Sequence, residues 1–383
     1  MHLDFLRALY DDPPGEFGSR YVSVYLDTTA TTAAAATEVA LRWRAARERL
    51  AAAGADDATL DAVERAATLR DHAVRARVVF GRRGAVWLEG TLPWPPRREL
   101  ASLAPLPHVM PWLAQLPPRV PHVRVAATKA GGRLLAVSAN EAGEESATVT
   151  TVEGASWPVH KVSAGGWSEQ RFQRSTEETW AETAKRIAAA TVAAAERVHA
   201  EFVVVGGDVR ERMMVLDMLP PAVRAAAVIL DREVAADDAE FDARAREEEE
   251  RRSARQAGAL LDELAGRLGG AGERRAVTGL ADTLTALRDG LASDVLLSGE
   301  PSWQAEAVWI GPGLADAATE RAALVERGVA APLQGRTDAA LVRAVAGTGA
   351  ELHLLSADTP PTAGIADVAD GVAALLRAPA AAL

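Results

Sequence analysis

The chain has 383 residues, about half of them apolar and a quarter charged, with a net charge of −11 and no cysteine. That length exceeds one ordinary core, so two or three domains are expected. The absence of thiols excludes disulfides, thiolate nucleophiles and cysteine-ligated zinc. No run approaches the ~18 uninterrupted apolar residues of a membrane helix. The opening MHLDFLRALYDDPP carries acids early and has no long apolar stretch, so it does not read as a signal peptide, and the expected location is cytoplasmic.

In chain order, SRYVSVYLDT (19–28) alternates apolar and polar residues like a half-buried strand. Alanine-rich helical patterns follow at 33–53 and 58–73, and ARVVFGRRGAVWLEG reads as a hairpin around GRRG. The proline-rich LPWPPRRELASLAPLPHVMPWLAQLPPRVP (92–121) blocks regular ladders and marks a boundary. HVRVAATKAGGRLLAVSAN then gives two strands and SATVTTVEG a third. A long helix is expected over about 175–200, opened by the capping box Ser175 to Glu178 or starting as early as Ser168. EFVVVGGDV and AAAVILDREV are strands, and a charged helix over 237–256 is a connector.

In the last third, TGLADTLTALRDG is helical, SDVLLSG and EAVWIGP are strands, and TDAALVRAVAGTG is a helix stopped by glycine. AELHLLSAD is a further strand, and GIADVADGVAALLR reads as a closing helix. The expected class is α/β and α+β in three domains: an α+β domain at 1–121, a mixed-sheet α/β domain at 122–256 and an α/β/α sandwich at 257–383. Basic and acidic residues number fifteen and fourteen over 1–121, eighteen and twenty-three over 122–256, and nine and sixteen over 257–383. The acidity sits late, which leaves room for local basic sites in a chain whose overall charge argues against nucleic acid.

One such site lies between the strand ending near 154 and the following helix, a loop too long to be a plain connection. It reads KVSAGGWSEQRFQRSTEE (161–178). Gly165 and Gly166 permit close backbone approach, while His160, Lys161 and Gln170 add polar groups. Arg171 and Arg174, three apart, share a helical face and can reach phosphates together. Ser168 or Ser175 can cap the helix. Trp167 either tucks back onto its own domain or serves as a base-stacking platform, and Phe172 is read as a buried anchor. In the first domain, Arg75, Arg77, Arg82 and Arg83 lie on LRDHAVRARVVFGRRG (69–84), which either tracks a phosphate backbone or is a solvated face and turn.

GGWSEQRFQR resembles the Gly-Gly-Gln loop of the archaeal and eukaryotic class I release factors, in which Gly-Gly-Gln is followed by Ser, two variable residues and Arg-Phe-x-Arg. Gly165, Gly166, Ser168, Arg171, Phe172 and Arg174 match that pattern, and Trp167 replaces the catalytic glutamine. TLTALRDGLASDVLLS (283–298), GTGAELHLLSAD (347–358) and GIADVADGVAALLR (364–377) are similar to motifs of that family's C-terminal domain, in the same order. Together these regions cover about two thirds of the chain. The Asn-Ile-Lys-Ser and Tyr-x-Cys-x-x-x-Phe motifs that read stop codons are absent. The chain is therefore similar to the bacterial branch of the superfamily, related to Pelota, that includes the Balon-type hibernation factors.

That resemblance implies an RNase H-like middle domain and a ribosomal protein L7Ae/L30e-like C-terminal domain. It also implies a stress- or dormancy-related monomer in the A site of the 70S ribosome, contacting 16S and 23S rRNA. The first domain would face the decoding centre, and the loop formed by His160, Lys161, Gly165, Gly166, Trp167, Ser168, Gln170, Arg171 and Arg174 would face the peptidyl-transferase centre. The C-terminal domain would dock on elongation factor Tu with GTP or GDP. No cofactor, metal or catalytic residue is expected, because an indole does not reproduce the water-positioning amide. A peptidyl-tRNA hydrolase or rescue factor with a modified loop is the alternative.

Other patterns are weaker. VVVGGDVRER (203–212) lacks a full G-x-G-x-x-G or a Walker lysine and reads as a tight turn, as does GPGLAD (311–316). Asp208, Asp217 and Asp231 read as caps and turns rather than a nuclease metal site. The seven histidines show no ligand spacing, and no G-x-S-x-G elbow is present.

Overall fold

The computed structural model describes residues 1–11, 17–29, 35–69, 74–92, 94–96, 99–116, 120–139, 145–154, 168–231, 238–269, 274–298, 306–355 and 371–380. The first segment contains a 3-10 turn at Asp4–Tyr10, β1 (Tyr21–Asp27), α1 (Ala35–Ala52), α2 (Asp57–Ala67), β2 (Ala76–Arg82), β3 (Ala85–Leu92), β4 (Leu100–Ala104) and α3 (Met110–Leu113). The middle segment contains β5 (His122–Thr128), β6 (Gly131–Ala139), β7 (Glu145–Glu153), α4 (Ser168–Val198), β8 (Phe202–Gly207), α5 (Val209–Met218), α6 (Pro221–Ala225) and β9 (Ala227–Ile229). Next come α7 (Ala239–Leu268), β10 (Arg274–Thr278), α8 (Leu280–Arg288), β11 (Ala292–Ser298), β12 (Ala307–Ile310) and β13 (Ala317–Ala318). The chain continues through α9 (Arg321–Val325), β14 (Leu333–Arg336), α10 (Thr337–Thr348), β15 (Glu351–Leu355) and β16 (Val372–Ala380).

These elements form an α/β protein with two compact units, Met1–Pro117 with Ala257–Leu383, and Pro118–Gln256. In the discontinuous unit the first and third segments keep separate sheets, ordered β3-β2-β1-β4, β10-β16-β11-β15 and β13-β12-β14, yet they share one core. Tyr25, Phe80 and Trp112 of the first segment belong to the same cluster as Leu284, Leu297 and Leu341 of the third. On its other face, the first sheet buries Val22, Val24 and Val79 against Trp43 and Leu50 of α1 and Leu60 and Val63 of α2. β2 is central and buried throughout, whereas β3 alternates as an edge strand does.

A buried polar knot ties the two segments of this unit. Asp338, in the first turn of α10, is 1% exposed. It accepts hydrogen bonds from His108 Nε2 at 3.0 Å, from Arg336 through Nε and NH2 at 3.0 and 2.7 Å, and from the Ala339 amide at 2.7 Å. His108 is itself held by the main chain: its amide donates to Ser23 Oγ and its carbonyl accepts from Tyr25 Oη. Burial would raise the Asp338 carboxyl, but the His108 and Arg336 hydrogen bonds outweigh it and hold the group below its ordinary range.

Three features of this unit differ from the sequence expectation. The GVAALLR end of the expected closing helix is strand β16, in the interior of its sheet between β10 and β11. Val372, Ala374 and Leu376 enter one core and Ala373 and Leu375 the other, so both faces are apolar and no period distinguishes strand from helix. β10 was hidden in RRAVT, and β4 pairs with β1 inside the proline-rich region as an edge strand, the one place prolines nearby are tolerated. By contrast α10 ends as expected, with Gly349 left-handed at φ 65°.

The continuous unit is a mixed sheet ordered β7-β6-β5-β8-β9, with β5, β8 and β9 parallel and β5-β6-β7 an antiparallel meander. Strand alternation divides its side chains. Val123, Val125, Val203 and Val205 face Ala184, Ile187 and Ala188 of α4 and Val215 and Leu216 of α5. Ala126, Phe202 and Val204 face Phe241 and Ala245 of α7. α4 begins at Ser168, so Ser175 is interior and the capping box does not start the helix; α7 continues beyond the expected 237–256 to Leu268. At the end of β8, Gly207 adopts φ 103°, and a Cβ there would lie 2.1 Å from the Ala127 carbonyl oxygen. Only glycine fits this backbone crossing.

Two stability outcomes follow from these contacts. Gly207→Ala is expected to cost about 3 kcal/mol, read as a lower urea midpoint. Asp338→Asn is expected to cost about 3 kcal/mol at pH 7. Because the Asp338 carboxyl is lowered on folding, its contribution is present above the ordinary carboxylate range near 4 and disappears as pH falls through its lowered value. Denaturation curves of wild type and Asp338→Asn should therefore converge toward pH 2.

Candidate functional site

Two parallel strands end side by side and set the geometry of the middle unit's functional edge. β5 runs into the turn carrying Lys129, and β8 runs into Gly207 and Asp208, with Ala127 opposite Gly207 in register. Asp208 caps α5 by accepting from the Arg210 amide, and its carboxylate lies 3.6 Å from Lys129 Nζ. The Lys129 ammonium lies 5.6 Å from the ring centroid of Trp180 on α4, and the Arg210 guanidinium carbon lies 4.6 Å from it. An indole flanked by two cations lies here at the carboxyl ends of parallel strands, where ligands of open α/β sheets bind.

Beside this cluster, Glu211 is buried, and neither of its carboxylate oxygens accepts from a donor among the described residues. Burial raises its carboxyl, and the Asp208 carboxylate beside it adds to the effect, while the Asp208 carboxyl itself is lowered. The raised group favours the fold while protonated and loses that contribution as pH rises through its folded value. Glu211→Gln keeps a donor without the charge. Its urea midpoint should exceed that of wild type at pH 8, with the gap closing by pH 4.

The glycine loop attaches to this frame from two sides. The Gly154 amide donates to the Ala130 carbonyl at 2.9 Å, which fixes the exit from β7, and α4 starts at Ser168. His160, Lys161, Gly165, Gly166 and Trp167 lie outside the described residues. Ser168, Gln170, Arg171 and Arg174 lie in the first two turns of α4. Trp180 is twelve positions beyond Ser168, about 18 Å along the axis at ~1.5 Å per residue. The helix is seated deeply: a Cβ at Gly132 would lie 2.7 Å from Ile187.

In the discontinuous unit the four candidate arginines divide. Arg82 is 0% exposed; its guanidinium is sandwiched at 4.5 Å and 4.4 Å from the rings of Tyr21 and Trp87 and donates to the Asp11 carbonyl. Arg77 is also buried and donates to the Leu69 carbonyl. The expectation of rRNA contact from Arg77 and Arg82 is corrected on this ground: outward-facing charge in sequence is packed inside the sheet and desolvated. Arg83 and Arg75 are exposed. Arg83 forms the two-residue hairpin turn with Gly84, both at positive φ, and donates to Ser19 Oγ. Arg75 lies 5.4 Å over the ring of Trp94, a 64% exposed indole.

Sequence reasoning missed Lys129, Trp180, Arg210 and Trp94. KAGG and DVRER are visible as turns, but only the parallel pairing of β5 with β8 brings them to one tryptophan. Of the three aspartates considered for a nuclease, Asp208 caps α5, Asp217 pairs with Arg224 and Asp231 pairs with Arg212.

Residues 121–270 match the family described as bacterial archaeo-eukaryotic release factor family 2. Over this segment, about two fifths of the chain, the sequence is similar to that family. It is 29% identical over 365 residues to the Mycobacterium tuberculosis protein described as uncharacterized protein Rv2629 in strain H37Rv and MT2704 in strain CDC 1551 / Oshkosh, covering 93% of each chain. Similar solved structures include the Pelota of Archaeoglobus fulgidus, at 16% identity, TM-score 0.35 and 79% coverage of both chains. A model of ribosome-bound archaeal Pelota and ABCE1 is similar at 14% identity and TM-score 0.39, covering 98% of this chain and 94% of that one. Among the described residues, no helix is long and apolar enough to cross a membrane.

Proposed function

We propose that the protein is a non-catalytic ribosome-binding factor that occupies the A site with elongation factor Tu and holds the ribosome idle, as hibernation factors do. The observation that carries this reading is the Gly165-Gly166-Trp167 sequence immediately before α4, within the segment that matches the release-factor family. Where a release factor has glutamine to aim water at an ester, this chain has an indole, which stacks on bases and has no amide with which to place the water. The positive helix start and Arg171 and Arg174 on the first turns favour rRNA phosphates. The Trp180, Lys129 and Arg210 cluster extends the same helix's polyanion surface. In this reading the first segment faces 16S rRNA through Arg75, Trp94 and Arg83. The third segment, richest in excess acid, is the partner of the GTPase.

The test is Trp167→Ala. Losing one stacked base at ~1–3 kcal/mol should weaken co-sedimentation with 70S particles by about tenfold. Circular dichroism should stay unchanged, because the substitution precedes the folded helix. Unchanged co-sedimentation removes the loop from the interface. Release of peptide from peptidyl-tRNA by the purified protein, abolished by Gly166→Ala, would replace this reading with the hydrolase one.

A further inference from the structure

The outer strand of the sheet β10-β16-β11-β15 is covered by the chain's first two residues. The Met1 amine donates to the Leu352 carbonyl at 2.6 Å, and the Leu352 amide donates back to the Met1 carbonyl at 3.0 Å. This pairing continues the sheet and places the His2 imidazole beside Glu351, with Nε2 at 3.0 Å from Oε1. The parallel register of β11 and β15 sets Asp294 opposite Glu351 and Leu296 opposite His353. Alternation along β15 keeps Glu351 and His353 on one face.

The outcome is a cluster of three ligand-type side chains, Asp294, Glu351 and His353, from two stretches of sequence, with His2 held at its rim by Glu351. His353 Nε2 lies 2.9 Å from Asp294 Oδ1 and 3.5 Å from Glu351 Oε2. One ligand atom from each of Asp294, Glu351 and His353 lies within 4.8 Å of the others. All three residues are half-buried.

Two carboxylates directly opposite on adjacent strands repel each other, and the Met1 ammonium, which acts on both, offsets part of that repulsion. A single Nε2–H can satisfy one of them, not both. The nearby Arg267 guanidinium is already engaged, donating to Glu263 and to the Leu376 carbonyl. Ligand atoms about a tetrahedral ion with bonds of ~2.1 Å lie roughly 3.4 Å apart, and His353 Nε2 lies 2.9 Å and 3.5 Å from the two carboxylates. An imidazole with two carboxylates suits a borderline ion; calcium and magnesium prefer six or more oxygens.

The geometry points to a divalent transition-metal site, zinc by preference, formed by Asp294, Glu351 and His353, with a fourth position open. The ion would join β11 to β15. It is independent of ribosome binding. It is invisible as a spacing pattern because Asp294 is distant in sequence from the Glu351-x-His353 pair.

The test uses the untagged full-length chain and zinc or cobalt chloride. Titration calorimetry should show one saturable Zn2+ site, and the Co2+-loaded protein should show the strong visible absorption of four-coordinate cobalt. Since losing even an outer-shell partner costs ~10–100-fold in metal affinity, His353→Gln and Asp294→Asn should each weaken binding at least about tenfold. Far-ultraviolet spectra identify which of the two variants fold. Absence of saturable Zn2+ binding by the wild type, or equal affinity in the wild type and either folded variant, overturns the site.

Discussion

The discontinuous unit is organised around a carboxylate that water does not reach. Asp338 lies in the first turn of α10, where the helix dipole favours its charge, and receives donors from segments more than two hundred residues apart. Isolated, such a group would be neutral or destabilising. With His108 and Arg336 it converts a long-range encounter into a specific one, because only one relative placement of β1, the 105–110 stretch and α10 satisfies every donor. The shared core of Tyr25, Phe80, Leu284 and Leu341 supplies the bulk of the burial; the polar knot fixes its register.

In the continuous unit a different constraint governs. The parallel pairing of β5 and β8 brings two sharp turns together, and Gly207 allows the second to cross the first at a separation no side chain tolerates. From those turns come Lys129, Asp208 and Arg210, and α4, pinned by Ile187 over Gly132, carries Trp180 to meet them. The same helix starts where the glycine loop ends, so one rigid rod serves both the loop and the cationic indole cluster.

Much of this is legible in the sequence alone. The hairpin around GRRG, the helices α1 and α2, the meander β5-β6-β7 and the glycine stop of α10 follow from alternation, helical period and turn chemistry, and the structure has each of them. The failures share a cause: burial by distant partners. β16 is apolar on both faces, so its period carries no signal. Arg82 reads as surface charge, but Tyr21 and Trp87 enclose it. The Asp294, Glu351 and His353 cluster and the Trp180 cluster depend on strand neighbours that no local window contains.

The discontinuity of the first unit has a consequence for synthesis. A ribosome making this protein completes β1 to β4 and then must translate the whole of residues 118–256 before the first residue of the partner segment emerges. At ~5–20 residues per second that interval is on the order of ten seconds. Throughout it, Tyr25, Phe80 and Trp112 have no third-segment side chains to close over them. The nascent chain therefore carries an unfinished apolar surface while its middle unit, contiguous in sequence, is free to fold, and this makes the exposed half-core a natural client for chaperones acting during translation.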